Sequence, residues 1–198
     1  MEYFYTRGEQ RLMIYLTSDN HFGHQNIIEF CNRPFFSADD MDETLIENIN
    51  ATVGPQDELW HLGDFSFRST HSIKYYLDKI KCRIHIVFGS HDKEAIENRN
   101  LFASSHFGIK QLKVNKEKIV LCHHPLLSWD ARHHGRLHFF GHVHSSDKSP
   151  FICQRNSCDI GVDAWDFTSV SLEDAIVRAK DNYGKLTVHD KYDTSIIG

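Results

Sequence analysis

The stretch "RIHIVFGSHD", Arg83–Asp92, pairs an apolar run with a polar cluster. The apolar part is β-prone and short, which predicts a buried strand. The strand then ends at glycine, serine, histidine and aspartate. Glycine permits a sharp turn and a close backbone approach at that point. This pattern predicts a functional site where the strand ends, provided that other strands bring similar residues to the same place.

Four other predicted strands end in the same way. The exits read "SDNH" with Asp19 and His21, "LGD" with Asp64, "CHHP" with His123, and "GHVH" with His142 and His144. In open α/β sheets, ligands bind at the carboxyl ends of the strands. We therefore expect these side chains, which are scattered along the chain, to converge in space.

Helical segments alternate with these strands, and no repeat, low-complexity tract or linker interrupts them. Ser37 stands as an N-cap before a helix with apolar residues at helical spacing, and Ser171 stands before a second one that Gly184 would end. "IKQLKV" and "EKIVLC" flank a polar turn and predict a hairpin, and "KLTVHD" predicts a last strand. The pattern predicts one α/β domain over residues 1–198.

The chemistry of the clustered residues indicates a metal site. Fifteen histidines are present, and the clusters contain imidazole and carboxylate but no thiolate. That set suits Mn, Fe, Zn or Ni better than Ca. The candidates are too many for one ion, and two metals about 3.5–4 Å apart with a bridging carboxylate would use them.

Composition narrows the function classes. The net charge is −5 with neutral histidine, and without a run of basic residues it argues against strong non-specific binding to nucleic acid. The chain shows no membrane span and no secretory signal, so cytoplasm is the expected location. The five cysteines, an odd number without a C-x-x-C pair, are expected to be free thiols.

Together, "DNH" (19–21), "GDF" (63–65), "GSHD" (89–92), His123 and "GHVH" (141–144) resemble the motif series of the calcineurin-like metallophosphoesterase superfamily. "TSDNHFGHQNI", "CNRPF" and "GVDAW" resemble a compact bacterial or phage branch of it. The resemblance implies a four-layer α/β/β/α sandwich with the dimetal site at one edge. It implies hydrolysis of a phosphodiester or phosphomonoester by a hydroxide bound between the metals.

The resemblance also implies a role for each motif residue. Asp19, His21 and His144 would hold the first metal, His123 and His142 the second, and Asp64 would bridge both. His91 would protonate the leaving oxygen or steady the phosphoryl charge. Asp92 would orient His91 through a hydrogen bond.

Ser90 is where this chain departs from the superfamily, which has a metal-ligating asparagine there. Serine is shorter and a poorer neutral ligand. Ser90 could bind the second metal through a water, the second site could be weakened or partly filled, or the substitution could be a deliberate one made to trap a ligand. We expect Ser90→Asn to tighten the second metal and raise turnover, which metal titration with an activity assay would test.

Several neighbours of the motifs allow two interpretations. His24 could contact the substrate or lie in solvent. His124 is expected to point away from the site if its segment is extended. His61 is expected to be hydrogen-bonded, either supporting the ligands from behind or packed in the core. Arg33 and Arg68 could contact substrate, although exposed arginines are common.

Other side chains near the motifs are expected to have ordinary structural roles. The loop "RHHGR" (132–136) could form a phosphate-binding rim, but a solvated loop is favoured. For the aromatic residues beside the motifs, core packing is favoured over stacking on a base. These are Phe65, Phe67, Trp129 and Trp165.

The sequence thus predicts a phosphoesterase acting on a small phosphorylated molecule, possibly a nucleotide, with two divalent ions. Mn²⁺ is the expected metal, with Fe, Zn and Ni as alternatives. A nuclease acting on nucleic-acid ends is the alternative enzyme. A non-catalytic scaffold that keeps the fold is the alternative outside catalysis.

Overall fold

The computed structural model describes residues 2–3, 12–145 and 155–182. Two five-stranded sheets form the framework. The first has the order β10-β2-β3-β4-β5, and the second has the order β1-β6-β7-β8-β9. The strands are β1 Glu2–Tyr3, β2 Ile14–Thr17, β3 Glu58–His61, β4 Arg83–Val87, β5 Ser104–His106, β6 Ile109–Val114, β7 Glu117–Cys122, β8 Leu137–Phe140, β9 Ser157–Asp159 and β10 Val170–Ser171.

The sheets pack face to face because alternate residues of their strands are apolar. Leu16 and Trp60 of the first sheet share one buried cluster with Leu121 and Phe139 of the second. On a strand, neighbouring side chains point to opposite faces, so the residues between them build the outer faces. The predicted α/β class with a two-sheet sandwich is confirmed.

The helices cover the outer face of the first sheet and one edge of the sandwich. They are α1 Gln25–Phe30, α2 Ala38–Thr52, α3 Ile73–Lys79, α4 Lys93–Glu97 and α5 Leu172–Asp181. Helices α1 to α4 contribute to a second buried cluster with Leu59 and Ile86 of the first sheet. Helix α5 contacts β8 and β9 on one side and β2 and β10 on the other, so it closes the sandwich where the edge strands β9 and β10 lie.

The outer face of the second sheet carries a loop. In residues 125–136 the described chain has a short 3-10 helix, Arg132–His134, and Trp129 packs its indole 5.0 Å from the ring of His138. On this face the resemblance implies a layer of helices. Within the described residues, the segment that covers the face is instead mostly irregular, and the contact between Trp129 and His138 helps to hold it there.

Most of the predicted elements are present. Ser37 and Ser171 both cap helices by accepting backbone N–H bonds, from Asp40 and Asp174, and β6 and β7 form the predicted antiparallel hairpin. The short elements β5, β10 and α4 were not predicted because they lack clear periodicity. The predicted strand "KLTVHD", the helix-ending Gly184 and Cys153 lie outside the described residues.

The chain direction of the central strands positions the site. Strands β2, β3 and β4 are parallel neighbours, and so are β7 and β8. Their carboxyl ends therefore meet at one edge of the sandwich. Of the cysteines in the described part, all four are free thiols, and none of its helices is long and apolar enough to cross a membrane.

Candidate metal centre

Backbone bonds between the strand exits fix the site before any metal binds. The N–H of Asp19 donates to Gly63 O at 3.0 Å, and the N–H of His21 donates to Asp64 O at 3.0 Å. Across the second sheet, the N–H of Gly141 donates to His123 O at 2.9 Å. The loops that carry the motifs are thus tied to one another in pairs.

Five motif residues adopt left-handed backbone conformations. They are Asp19 (φ 59°), His21 (52°), Asp64 (56°), His142 (72°) and His144 (48°). Such a conformation costs a residue other than glycine roughly 1–2 kcal/mol. Strained residues concentrate at functional sites, where the surrounding structure holds them in place. The strain falls on the residues that the sequence predicts as ligands.

Gly89 allows the two sheets to approach at the site. A Cβ atom on Gly89 would lie 2.4 Å from Asp64 Oδ1 and 2.8 Å from His123 Cε1. A side chain at this position would therefore occupy the space of two predicted ligands. The glycine at the end of β4 is required by contact with the metal centre rather than by its own dihedral angles.

Asp64 lies where a bridging ligand is needed. Its Oδ2 is 3.6 Å from His21 Nε2 and 3.4 Å from His123 Nε2, while its Oδ1 accepts the His91 backbone N–H at 2.8 Å. One carboxylate oxygen thus faces histidines from both predicted metal positions. Burial acts to raise the pKa of Asp64, but the hydrogen bond and charge of His123, together with the backbone N–H of His91, outweigh burial and hold that pKa well below its ordinary range.

Around Asp64 the ligand atoms fall into two main groups. Asp19, His21 and His144 each offer an atom within 4.8 Å of the others, and so do His123, His124 and His142. The first group matches the predicted first metal. The second group contains His123 and His142, which were predicted to hold the second metal, together with His124, which was expected to point away.

Buried atoms without partners show that the first group fits a cation. Within the described residues, Asp19 Oδ1 and both ring nitrogens of His21 are buried and have no hydrogen-bond partner. An unpaired buried polar atom is costly to keep away from water. Burial raises the pKa of Asp19 to about 6 and lowers that of His21 to about 2. A divalent ion would satisfy both groups at once.

Hydrogen bonds select the ring nitrogen that each histidine presents. His123 Nδ1 lies 2.7 Å from Leu62 O, to which it donates, so Nε2 faces the site. His144 Nδ1 lies 2.8 Å from Asp163 Oδ2, and its Nε2 is directed toward Asp19. A metal-ligating histidine usually donates its other N–H to a carboxylate or a carbonyl. Both residues are therefore oriented as ligands.

Protonation of His144 competes with metal binding. Burial disfavours its charged form, but bonds to Asp163 and Cys31 and the charge of Asp19 outweigh burial and raise its pKa to about 10. His142 behaves in the opposite way, because burial and the neighbouring histidines lower its pKa to about 4. A metal at the first position must displace the proton of His144.

Arg33 and Asp163 form hydrogen bonds to Asp19 and His144, two members of the first group of ligand atoms. The sequence did not reveal this supporting role. Arg33 is 4% exposed. It forms two 2.8 Å bonds to the carboxylate of Asp163 and a third, of 2.7 Å, to Asp19 O. Neither interpretation that the sequence allowed for Arg33, a contact with substrate or an exposed arginine, describes it, since the guanidinium is buried behind the predicted ligands. The two residues lie 130 positions apart, and no spacing rule could have paired them.

The predicted hydrogen bond between Asp92 and His91 does not form among the described residues. Instead the buried carboxylate of Asp92 accepts the backbone N–H groups of Asp64, Phe65 and Gly89 at 2.6–2.8 Å. Asp92 therefore holds two strand exits together and positions Asp64. The short turn leaves its carboxylate pointing inward, while the ring of His91 points outward.

His91 lies at the open side of the centre. Its ring is exposed, 5.6 Å from the ring of His21 and 4.3 Å from that of Phe67. The ring of His24 lies 4.9 Å from that of Phe67, and His24 is 8% exposed. Its Nδ1 has no hydrogen-bond partner among the described residues. His24 is thus a buried neighbour of the site rather than a solvated residue.

The remaining singled-out residues are accounted for. His61 is a buried core histidine, 2.8 Å from Asn20 Oδ1 through Nε2, as predicted. Phe65 is buried in the core, and Trp129 and Trp165 bond to backbone carbonyls through their indole N–H groups. Arg68 is exposed beside Phe67. In the loop 132–136, His133 and His134 are exposed and Arg136 pairs with Asp130.

Fold and site together define a two-sheet α/β protein with a candidate two-metal centre at the carboxyl ends of its parallel strands. The uncharacterized protein MJ1445 of Methanocaldococcus jannaschii is 35% identical over 172 residues, which cover 83% of this chain and 89% of that protein. The chain therefore belongs to the same family as MJ1445.

Two further comparisons found similar proteins. The Gene 66 protein of Mycobacterium phage L5 is 27% identical over 184 residues, covering 76% of this chain and 86% of that protein. The crystal structure of AQ665, a protein of unknown function from Aquifex aeolicus, matches with a TM-score of 0.69 at 23% identity, over 83% of this chain and 97% of that one. It shows the same fold. No protein-family model matches the chain.

Proposed function

We propose that this protein is a metal-dependent phosphoesterase of the calcineurin-like superfamily, in a compact branch of it. The observation that carries the proposal is the position of Asp64 Oδ2 between His21 Nε2 at 3.6 Å and His123 Nε2 at 3.4 Å. It joins a group of two imidazoles and a carboxylate to a second group of imidazoles. This arrangement of side chains suits two divalent ions, and Mn²⁺ is the first ion to test.

Divalent ions in such a centre neutralise phosphate oxygens and make water acidic enough to act as a nucleophile. The chain's own residues supply the rest. His91 stands on the open side with its backbone held by Asp64, so its imidazole can protonate a leaving oxygen or bind the phosphoryl group. Asp92 and Gly89 fix the turn that keeps His91 there.

The substrate that we propose is a small phosphorylated molecule or a nucleotide. The open side carries the exposed side chains of His91, Ser90 and His142, and Phe67 and Arg68 lie beside it. An aromatic face and a guanidinium next to a phosphate site suit a nucleotide better than a bare sugar phosphate. The net charge of −5 supports a small substrate over a long nucleic acid. We also propose a cytoplasmic location.

Hydrolysis of bis-p-nitrophenyl phosphate and of p-nitrophenyl phosphate with Mn²⁺ tests the activity. Asp64→Ala should abolish turnover and weaken metal binding together. His91→Ala should lower kcat by about 10²–10⁴ and leave Mn²⁺ affinity unchanged, because its side chain is not among the ligands. Asp78→Ala, which removes an exposed carboxylate paired with Lys74, is the matched control and should leave both unchanged.

Two results would contradict the proposal. A chain that binds Mn²⁺ yet cleaves neither ester nor any nucleotide in a broad panel would be a scaffold. Cleavage of single-stranded nucleic-acid ends in preference to nucleotides would make it a nuclease. The panel should therefore include cyclic nucleotides, nucleoside monophosphates and short oligonucleotides.

A further inference from the structure

We propose that His124 is a ligand of the second metal and supplies the contact that Ser90 does not make. This inference rests on the proposed two-metal function and concerns how the second site is completed. With His124 the second site would consist of three imidazoles and the shared carboxylate of Asp64. Ser90 would then mark a redistribution of ligands rather than a lost one.

The end of strand β7 explains why His124 reaches the site. The strand stops at Cys122, and residues 123–124 form a bend. In an extended strand two consecutive side chains would point to opposite faces. In the bend, the rings of His123 and His124 lie 4.8 Å apart and nearly perpendicular, and one nitrogen of each belongs to the same group of possible ligand atoms. The expectation that His124 points away is wrong for this reason.

Three imidazoles converge there. The ring of His124 lies 4.3 Å from the ring of His142, and the ring of His142 lies 5.1 Å from that of His123. One nitrogen from each residue lies within 4.8 Å of the other two. Imidazole nitrogens bind zinc at about 2.0–2.1 Å, so two ligands of one ion are at most about 4.2 Å apart. The observed spacing of at most 4.8 Å is therefore close to the spacing that one ion requires.

Ser90 and His124 are neighbours on this open side. The Oγ of Ser90 lies 3.2 Å from Nε2 of His124, and both side chains are exposed. A serine hydroxyl is short, and the imidazole of His124 lies within hydrogen-bonding distance of it. The hydroxyl is therefore placed to bond to the ligand histidine or to a water beside it, while the imidazole approaches the ion.

The donor set predicts an uneven metal preference. Imidazole suits Zn, Cu, Fe and Ni, whereas carboxylate, carbonyl and water suit Mg, Ca and Mn. The first site has two carboxylates and two imidazoles, and the second would have one carboxylate and three imidazoles. We expect the second site to prefer Zn²⁺ or Co²⁺ over Mn²⁺ more strongly than the first does.

Calorimetric titration of the metal-free full-length chain with Mn²⁺ and with Co²⁺ tests the inference without an activity readout. The wild type should bind two ions. His124→Ala should weaken one of them by at least about 10-fold, the smallest effect usual for groups that support a ligand, and leave the other unchanged. His133→Ala, which removes another exposed histidine, is the control and should bind as the wild type does.

Ser90→Asn combined with His124→Ala should recover most of the lost affinity, because the amide oxygen reaches the ion from the Ser90 position. The Co²⁺ absorption spectrum should change in His124→Ala and not in His133→Ala. Unchanged affinity for both ions in His124→Ala, or an unchanged Co²⁺ spectrum, would overturn the inference and leave the proposed function standing. Failure of the wild type to bind any divalent ion would instead overturn the proposed function.

Discussion

Breaking the buried pair of Arg33 and Asp163 is expected to destabilise the metal-free protein strongly. The guanidinium makes two bonds of 2.8 Å to the carboxylate, one of 2.7 Å to Asp19 O and one of 3.1 Å to Asn20 O. Replacing it with methionine, which fills similar volume, leaves one carboxylate and two carbonyls without these donors. Removing one member of a buried ion pair costs about 3–5 kcal/mol.

The matched control removes a cation from an exposed pair. Lys74 and Asp78 lie one helical turn apart with side chains 65% and 60% exposed. Such pairs contribute about 0.3–0.5 kcal/mol. Lys74→Met should therefore change the free energy of unfolding by less than about 1 kcal/mol, while Arg33→Met lowers it several-fold more.

Urea unfolding in the presence of a chelator measures both variants without a contribution from metal. With an m-value of about 1–3 kcal/mol/M, Arg33→Met should lower the midpoint by about 1 M or more. Arg33→Met combined with Asp163→Asn should cost less than the sum of the single changes, since each single change leaves an unpaired buried charge and the double variant leaves none. A free energy of unfolding for Arg33→Met that lies within about 1 kcal/mol of that for Lys74→Met would refute the reasoning.

Three other variants test separate features of the fold. Gly89→Ala should abolish Mn²⁺ binding and destabilise the fold, because its Cβ would meet Asp64 Oδ1 at 2.4 Å. The control is Gly108→Ala, at a glycine with φ +67° and nothing within 4 Å of an added Cβ. It should cost only about 1–2 kcal/mol of backbone strain and leave metal binding intact. Burial raises the pKa of Asp42 to about 6, against about 3.9 in the unfolded chain. The native state therefore keeps that proton to a higher pH than the unfolded chain does. The free energy of unfolding of the wild type should fall relative to that of Asp42→Asn as pH rises from about 4 to 6, and the difference should be constant above pH 6. Urea unfolding at several pH values measures this difference, and a difference that does not change with pH would contradict the prediction. Ser37→Ala should cost about 1 kcal/mol in the same assay, since it removes the cap on the Asp40 N–H; no loss would show that the cap is not needed.

The sequence alone predicted which residues come together at the candidate metal centre. Asp19, Asp64 and His142 each follow a short apolar run, and parallel neighbouring strands bring their carboxyl ends to one edge. Recognising the strands in the sequence was therefore enough to predict that the residues following them lie close together. The same local logic found the helix caps and the hairpin, because each depends on residues only a few positions apart.

Contacts between distant segments and local bends were decided only by the tertiary structure. Arg33 and Asp163 pair across 130 positions, and through Asp163 they orient His144, which no periodicity encodes. Asp92 faces inward to three backbone N–H groups because the turn after β4 is too short to let it reach His91. His124 joins the site because β7 ends one residue before His123, so that alternation of side chains stops there. Strand patterns fix which residues reach the edge of a sheet, but the path of the chain beyond the last ladder bond decides where each side chain points.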